Sequence, residues 1–230
     1  MVTILLGWLF GLAQGVRHAL EPDHIAALST LVAEQRTTRA SMTYAVSWGA
    51  GHALVLLIVG GALVVLRAEM PERLADVFEL GVAFMLVALG TRALRRAAQL
   101  GKGGPPFAHR HGPVAHTHGG SVEHVHVHGR SFARFPLLIG VVHGMAGSGA
   151  LAALVLPKLP SATQGLLYLA LYGFGATLGM AMLAGLAGVP LARIVRSRRG
   201  MPILLGLSGA FSLIFGVVWG LPIVLRLGGA

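Results

Sequence analysis

The sequence predicts an all-α integral membrane protein with six transmembrane helices, arranged as a 3+3 inverted repeat with a His-rich cytoplasmic loop between the halves. Three observations predict this class: the composition, six long apolar stretches, and a resemblance between the two halves of the chain. Of the 230 residues, 55% are hydrophobic and only 11% are charged, whereas soluble proteins average about 25% charged residues. A mean hydropathy of +0.75 implies more apolar surface than a soluble core of this size can bury, so we expect the lipid bilayer to surround the chain.

The charge and the cysteine content exclude several classes of function. The formal net charge of +10 would suit nucleic-acid binding, but a chain of membrane spans has no soluble domain to carry a basic face, so no nucleic-acid partner is expected. The chain has no cysteine, which removes thiolate metal sites and thiol nucleophiles and leaves His, Asp, Glu and Met as candidate metal ligands. The motifs of metalloproteases, serine hydrolases and nucleotide-driven pumps are absent, so we predict that the protein is not an enzyme.

Six apolar stretches approach or exceed the roughly 20 residues that a helix needs to cross a bilayer. They lie at about 3–32, 42–66, 74–94, 134–157, 162–190 and 202–225. The first is not expected to be a cleaved signal peptide, because no Lys or Arg precedes Arg17, no small-residue cleavage site follows, and the apolar pattern then resumes. The spans divide the chain into a first three-helix repeat at 1–95, a flexible His-rich loop at 96–133 and a second repeat at 134–230.

The distribution of Lys and Arg predicts the orientation in the membrane, because cytoplasmic loops carry the excess of basic residues. The loops near 33–41, 91–134 and 191–201 hold 2, 7 and 4 of them. The opposite side holds 4, namely Arg67, Arg73, Lys158 and Arg226. We therefore expect a multi-pass protein of the cell (inner) membrane with both termini outside and the His-rich loop in the cytoplasm.

The two halves resemble each other at nearly constant offsets. GVRHAL in the first span matches GVVHGM in the fourth at an offset of 125, and Phe84 matches Phe211 at 127. The second and fifth spans match at an offset of 124, in a set made of Tyr44, Trp48, Gly49, Gly51 and Leu54 against Tyr168, Tyr172, Gly173, Gly175 and Leu178. Three helices per half is an odd number, so the second half must enter from the other face, as in transporters whose site lies near the midplane between the halves.

The first span contains an unusual group of polar residues, in RHALEPDHIAAL at 17–28. Ionisable groups are rare in membrane spans and usually face a cavity or each other. Six residues turn a helix by about 240°, so an unbroken helix could not direct both histidines of this motif at one ion. Pro22 predicts a kink or break between them, which would free the His18 carbonyl and let the side chains converge. The group consists of His18, Glu21, Asp23 and His24, and Glu21 is also expected to neutralise Arg17.

Three polar residues on other spans are candidates to complete a metal site: His52, Glu79 and His143. They lie among small residues that allow helices to approach closely, including Gly51, Gly144, Gly147 and Ser148. Imidazoles with one or two carboxylates and no thiolate suit Ni(II), Co(II) or Zn(II) rather than Cu(I), calcium or magnesium. For His52 and His143 a hydrogen bond between helices is the alternative, and Glu79 could instead lie at the outer interface near Asp76.

The loop between the halves carries seven further histidines, mostly in His-x-His pairs. Alternate residues of an extended segment share a face about 6.6 Å apart, so two or three imidazoles can share a cation. Binding would be weak and pH-dependent because the imidazoles must be neutral; a solvated linker of biased composition is the alternative. The seven are His109, His111, His116, His118, His124, His126 and His128.

These motifs resemble a known family. HALEPDH, a His-x4-Asp-His pattern preceded by Arg17, resembles the signature of the nickel/cobalt transporter (NiCoT) family, and SWGAGHAL resembles that family's second helix. The short form, with HGMAGSGAL opening the second half and a His-rich loop between halves, is most similar to the UreH-type urease-accessory nickel transporters. The resemblance implies passage of nickel or cobalt, with His18, Asp23 and His24 required and His52 contributing. Two departures are Glu21-Pro22, where acidic and small residues are common in the family, and the absence of the Asp-Thr motif of the eight-helix members.

The sequence therefore predicts a carrier that moves Ni(II), or Co(II), inward through an intramembrane His/Asp site. No resident cofactor is expected, because the metal is cargo, and a cytoplasmic nickel chaperone or urease-accessory proteins are the expected partners. Two alternatives stay open at this point: efflux by the same architecture, and a membrane accessory protein that presents nickel without transporting it. Ligand chemistry alone also allows a zinc or iron carrier, driven by proton exchange at Asp23 and Glu79 or by the membrane potential.

Overall fold

The structure, a computed structural model, describes the backbone at residues 2–33, 35, 37–101, 108–111, 114–117, 124–127, 130–155, 161–195 and 200–229. Side chains are described within these ranges except at 2–7, 108–133, 148–150, 152–155, 191–192 and 195. Eight α-helices, one π-helical segment and four short strands make up the described backbone.

The first predicted span is divided into two helices, α1 (Val2–His18) and α2 (Pro22–Ala33). Pro22 is the first residue of α2, a position that suits proline because the first N–H groups of a helix have no partner within it. The chain turns between the helices: the Leu20 N–H donates to the Arg17 carbonyl at 2.9 Å and the Glu21 N–H to the His18 carbonyl at 3.0 Å. The predicted break at Pro22 is therefore present. The prediction that it frees the His18 carbonyl is wrong, because that carbonyl accepts the turn hydrogen bond from Glu21.

The second span is one continuous rod built from three segments. Helix α3 (Thr38–Val55) starts at Thr37, whose side chain accepts a hydrogen bond from the Ala40 N–H, as N-cap threonines do. It passes into a π-helical segment, Leu56–Gly60, and then into α4 (Gly61–Leu66), which ends at Arg67 in the left-handed conformation with φ 50°. Single π-helical turns within α-helices are often found near functional sites.

The remaining helices are α5 (Glu72–Gly101), α6 (Arg134–Val155), α7 (Ala162–Val195) and α8 (Gly200–Gly228). Among the described residues, four helices are long and apolar enough to cross a membrane: Thr38–Leu66, Glu72–Gly101, Ala162–Pro190 and Gly200–Gly228. The chain is thus a membrane protein with a helical membrane region, as predicted. Helix α5 extends to Gly101, so the inter-helix loop begins later than the predicted residue 96.

The loop between α5 and α6 contains structure that the sequence analysis did not expect. Strands β1 (Ala108–His111) and β2 (Val114–Thr117) pair antiparallel, as do β3 (His124–Val127) and β4 (Arg130–Ala133). Alternation of His with Val in HVHV suits a strand, because β-branched residues favour extended backbone. The hairpins lie within this loop, and the membrane helices agree with the predicted all-α class.

Close helix packing at glycine holds the membrane region together. In the α1–α7 contact, Gly15 lies against the backbone of Tyr172, and Gly175 lies against that of Leu12. A Cβ atom at either glycine would overlap main-chain atoms of the facing helix. Small residues at helix interfaces let backbones approach in a bilayer, where packing rather than the hydrophobic effect drives helix association.

The α3–α6 contact is built in the same way. Gly51 lies against the backbone of Leu137, and Gly140 lies against that of Trp48 and His52. Trp48 and His52 are fully buried. The close approach therefore places a buried histidine of α3 directly beside α6.

Helices α5 and α8 form a third close pair. The Ser212 hydroxyl donates to the Leu86 carbonyl at 3.0 Å, and both residues are fully buried. Gly90 lies against Gly209 and Leu213, while Gly216 lies against Ala83. Helix α2 packs on this pair and also contacts α3 and α7, and α5 contacts α6 directly.

Candidate metal site

Five of the polar side chains singled out by the sequence lie together inside the helix bundle. They come from the end of α1, the first turn of α2, the last turn of α3 and the middle of α6. Between 0 and 9% of each residue's surface is exposed. Their ligand atoms form two groups in which all atoms lie within 4.8 Å of one another. We name them the three-histidine group (His18, His24, His52) and the carboxylate group (Asp23, His24, His143).

The break between α1 and α2 brings the two histidines of the motif together. In a continuous helix, residues six apart are separated by about 9 Å along the axis and point in different directions. In the structure the ring centroids of His18 and His24 are 4.3 Å apart. The turn at 19–21 therefore converts two divergent side chains into neighbours.

Two carboxylates orient these imidazoles. His18 Nδ1 lies 2.9 Å from Glu21 Oε2, and His24 Nδ1 lies 3.1 Å from Asp23 Oδ1. An ionised carboxylate only accepts, so each Nδ1–H is the donor. The Nε2 atoms of His18 and His24 are buried and have no hydrogen-bond partner among the described residues. A carboxylate on one ring nitrogen with the other directed into the site is the usual arrangement of a metal-binding histidine.

His52 is fully buried, and neither of its ring nitrogens has a hydrogen-bond partner among the described residues. Leaving a buried polar atom unsatisfied costs roughly 1–3 kcal/mol. The alternative proposed for this residue, a hydrogen bond to another helix, does not occur in the described part of the chain. The geometry therefore suits a residue that binds a ligand.

His143 makes the interhelical hydrogen bond that was the alternative for it: its Nε2 donates to Asp23 Oδ2 at 2.7 Å. Its Nδ1 is buried without a partner among the described residues. Asp23 thus accepts from two imidazoles, one through each oxygen. This carboxylate joins α2 to α6 at the centre of the site.

Two aromatic side chains, which the sequence marks only as part of the repeat, lie against the histidines. The Trp48 ring lies 5.4 Å from the ring of His24 and 5.5 Å from that of His143, and the Tyr172 ring lies 5.4 Å from that of His18. Their equivalent positions in the two halves, at an offset of 124, were the signal that could have placed them here. Both restrict the access of water and lipid to the imidazoles.

Comparison with known proteins identifies the family. The chain is 30% identical over 222 residues to the urease accessory protein UreH of Bacillus sp. (strain TB-90), a match that covers 94% of this chain and 91% of the relative. This chain belongs to the UreH family. The resemblance drawn from the motifs is thereby confirmed, as is the prediction that the chain is not an enzyme. No sequence profile of a protein family matches the chain, and neither does any solved structure.

Not every predicted residue lies at the site of this UreH-family chain. Glu79 lies on α5 near Asp76, whose Oδ1 accepts a hydrogen bond from Arg226 Nη2 at 2.7 Å. Glu79 therefore lies near Asp76, as its alternative placement had it, and not with the five site residues. Arg17 bonds to Gln14 at 3.3 Å and Glu21 to His18, so the expected Arg17–Glu21 pair is not formed.

The predicted small residues have mixed outcomes. Gly144 lies against the His52 carbonyl, and Gly147 lies beside the site, where an added Cβ would be 3.9 Å from His18 Nε2. The side chain of Ser148 is outside the described part of the chain. Of the loop histidines, His118 and His128 lie outside the described residues, and for the other five only the strand backbone is described.

Proposed function

We propose that this chain carries a divalent transition-metal ion across the membrane, Ni(II) in preference to Co(II), inward and with no resident cofactor. His18, Asp23, His24, His52 and His143 are its transient ligands. One observation carries the proposal: buried imidazole nitrogens of His18, His24 and His52 face one another within 4.8 Å, without hydrogen-bond partners in the described part of the chain. Borderline-soft imidazole donors with a carboxylate suit Ni(II) and Co(II), and a site of this kind binds nickel more tightly than cobalt.

The urease context of the relative supports nickel as the cargo. Its printed name is urease accessory protein, and urease-accessory proteins or a nickel chaperone in the cytoplasm would then receive the ion. The seven loop histidines, from His109 to His128, would hold the ion briefly at the inner face. Their binding is expected to be weak and to require neutral imidazoles.

An inverted repeat of two three-helix halves gives this site its place at the middle of the membrane. Reciprocal contacts support the repeat: Gly15 meets Tyr172 as Gly140 meets Trp48, and these positions correspond at offsets of 125 and 124. In the same way, Gly175 meets Leu12 as Gly51 meets Leu137. Exchanged contacts of this kind are what a pseudo-two-fold axis in the membrane plane requires.

The α5–α8 pair follows the same rule at a slightly different offset. Ser212 and Leu86, which bond to each other, are 126 apart, as are Gly216 and Gly90, which each contact the partner helix. The offset of 127 derived from Phe84 and Phe211 is therefore one residue too long for the packing. In this arrangement α1 with α2, α3 with α4, and α5 to α8 make six spans, with both termini outside and the loop in the cytoplasm.

Uptake of radioactive nickel tests the proposal in cells that express the full chain. His24→Ala removes a member of both groups and should abolish uptake at unchanged protein level in the membrane. Ser29→Ala is the matched control, because it lies on the same helix and its hydroxyl bonds only to the Ala26 carbonyl of its own turn. Wild-type uptake in the His24 variant would sink the proposal.

Direction is tested by metal tolerance. An inward carrier raises cellular nickel and lowers tolerance of added nickel, and the opposite pair of results would establish efflux. Proteoliposomes with an imposed potential and no pH gradient, scored for Ni, Co and Zn side by side, test selectivity. Uptake under these conditions would also show that a proton gradient is not required.

A further inference from the structure

The two ligand groups share His24 and no other member. We infer that they are two successive positions for the transported cation, and that His24 passes the ion from the three-histidine group to the carboxylate group. The inference rests on the proposed function and deepens it. It replaces one five-ligand site with two three-ligand positions, each occupied in turn.

The first reason is the state of the donor atoms. In the three-histidine group, the Nε2 atoms of His18 and His24 and both nitrogens of His52 have no partner among the described residues. In the carboxylate group, Asp23 already accepts from His24 at 3.1 Å and from His143 at 2.7 Å. The three-histidine group is therefore open to an ion in this conformation, while in the carboxylate group both Asp23 oxygens and His143 Nε2 are engaged in hydrogen bonds.

The second reason is the position of His24 between His52 and His143. Gly144 lies against the His52 carbonyl, so these two histidines are level with each other on facing helices, with ring centroids 6.0 Å apart. The His24 ring lies 5.3 Å from that of His52 and 4.0 Å from that of His143. His24 is therefore closer to each of them than they are to each other.

A small pocket lies toward the first turns of α3 and α6. It is lined by residues of α2, α3, α5 and α6, among them Thr30, Tyr44 and Phe135. Tyr44 and Phe135 each precede the site histidine of their helix by eight residues, so the pocket is about two helical turns from the site on both helices.

Charge gives the transfer its direction. In the three-histidine group, Glu21 and Asp23 act on the ion only through the imidazoles that they contact, whereas in the carboxylate group Asp23 binds the ion directly and offsets one of its charges at shorter range. An ion that enters at the three-histidine group is therefore drawn to the carboxylate group once the Asp23–His143 hydrogen bond opens. His24 needs no exchange of partners, since its Nε2 can bind the ion in both positions while its Nδ1–H stays on Asp23.

The test uses Co(II) bound to the purified full-length chain in detergent, in a background where the seven loop histidines are changed to Gln to remove binding there. X-ray absorption counts the imidazoles on the bound ion. His52→Ala should keep about one Co(II) per chain with two imidazoles and a carboxylate. His143→Ala should keep about one with three imidazoles and no carboxylate. His24→Ala should lose both, and Ser29→Ala should match the background chain.

If the ion occupies two positions in turn, a variant that lacks either position should still bind the ion but should not transport it. In proteoliposomes, His52→Ala and His143→Ala should each lose nickel uptake while retaining Co(II) binding in detergent. Equal imidazole counts and equal losses of binding in the two variants would overturn the inference and leave one shared site. Absence of uptake by the wild-type chain in these vesicles would instead refute the proposed transport function, whatever the binding variants show.

Discussion

The α1–α7 and α3–α6 contacts are packed alike but differ in their chemistry. In each, glycines bring two helices into backbone contact, at Gly15 and Gly175 in one and at Gly51 and Gly140 in the other. The α3–α6 contact carries two site histidines. In the α1–α7 contact the position 124 residues after His52 is Ala176, which is fully buried. Close packing is therefore shared by the two contacts, while the α3–α6 contact carries two of the five site residues and the α1–α7 contact carries one, His18.

Because the two contacts are packed alike, a larger side chain at a contact glycine should destabilise the bundle equally in both. We expect this loss of stability to be the largest effect. Gly51→Val and Gly175→Val each place side-chain atoms into the backbone of the facing helix, which should destabilise the bundle by about 1–3 kcal/mol or more. Thermal unfolding in detergent measures it. Gly206→Val is the control, since nothing lies within 4 Å of a Cβ there. A large loss for one glycine and none for its counterpart would break the comparison.

The two contacts place different side chains at the site, an imidazole from α3 and a tyrosine ring from α7. We therefore expect loss of His52 to lower nickel uptake far more than a change at Tyr172. His52→Ala should lower nickel uptake by more than the roughly 10–100-fold typical of losing an outer partner of a metal ligand. Tyr172→Phe keeps the ring beside His18 and should stay near wild type. Comparable losses in both variants, measured at equal membrane levels, would contradict the asymmetry.

A smaller effect is expected at the carboxylate that orients His18. Glu21→Gln retains the shape of the side chain but removes the charge that holds Nδ1–H at 2.9 Å, and should weaken Co(II) binding by about tenfold. Equilibrium titration in the chain without loop histidines measures it. Glu72→Gln, at the exposed start of α5, provides the control. Unchanged affinity at Glu21→Gln would show that the contact does not orient a ligand.

The smallest effect should come from the loop, which lies outside both contacts. Replacing its seven histidines by Gln should lower nickel uptake in cells without abolishing it, because the intramembrane ligands remain. Uptake by the variant is compared with wild type at several nickel concentrations. Complete loss would favour the accessory protein that only presents nickel.

Much of the site could be predicted because polar side chains are conspicuous in apolar spans. Pro22 between His18 and His24 predicted the break that brings them together, and His52 and His143 could be named as candidates from single positions. Contacts between distant segments were not accessible in this way. The Asp76–Arg226 pair joins residues 150 apart, so the sequence left both positions open for Glu79, at the site or near Asp76, and could not decide between them.

Two features could not be predicted, for different reasons: the β-hairpins, and the offset that relates α5 to α8 in the proposed repeat. Glycine and proline near His109 favoured a flexible segment, and the pairing of β1 with β2 depends on contacts that composition does not reveal. One residue of misalignment at Phe84 and Phe211 rotates a helix by about 100°. A short apolar pattern is therefore too weak to fix the register of α5 against α8.

The turn hydrogen bond from Glu21 to the His18 carbonyl has a consequence for how the cargo is released. With that carbonyl occupied, the donors gathered at the site are imidazoles and one carboxylate, and every one of them can bind a proton. A backbone carbonyl would hold a cation regardless of acidity, whereas these donors make protons direct competitors of the metal. In the proposed carrier, metal binding is therefore expected to weaken as the pH falls, because protons and the metal compete for the same atoms.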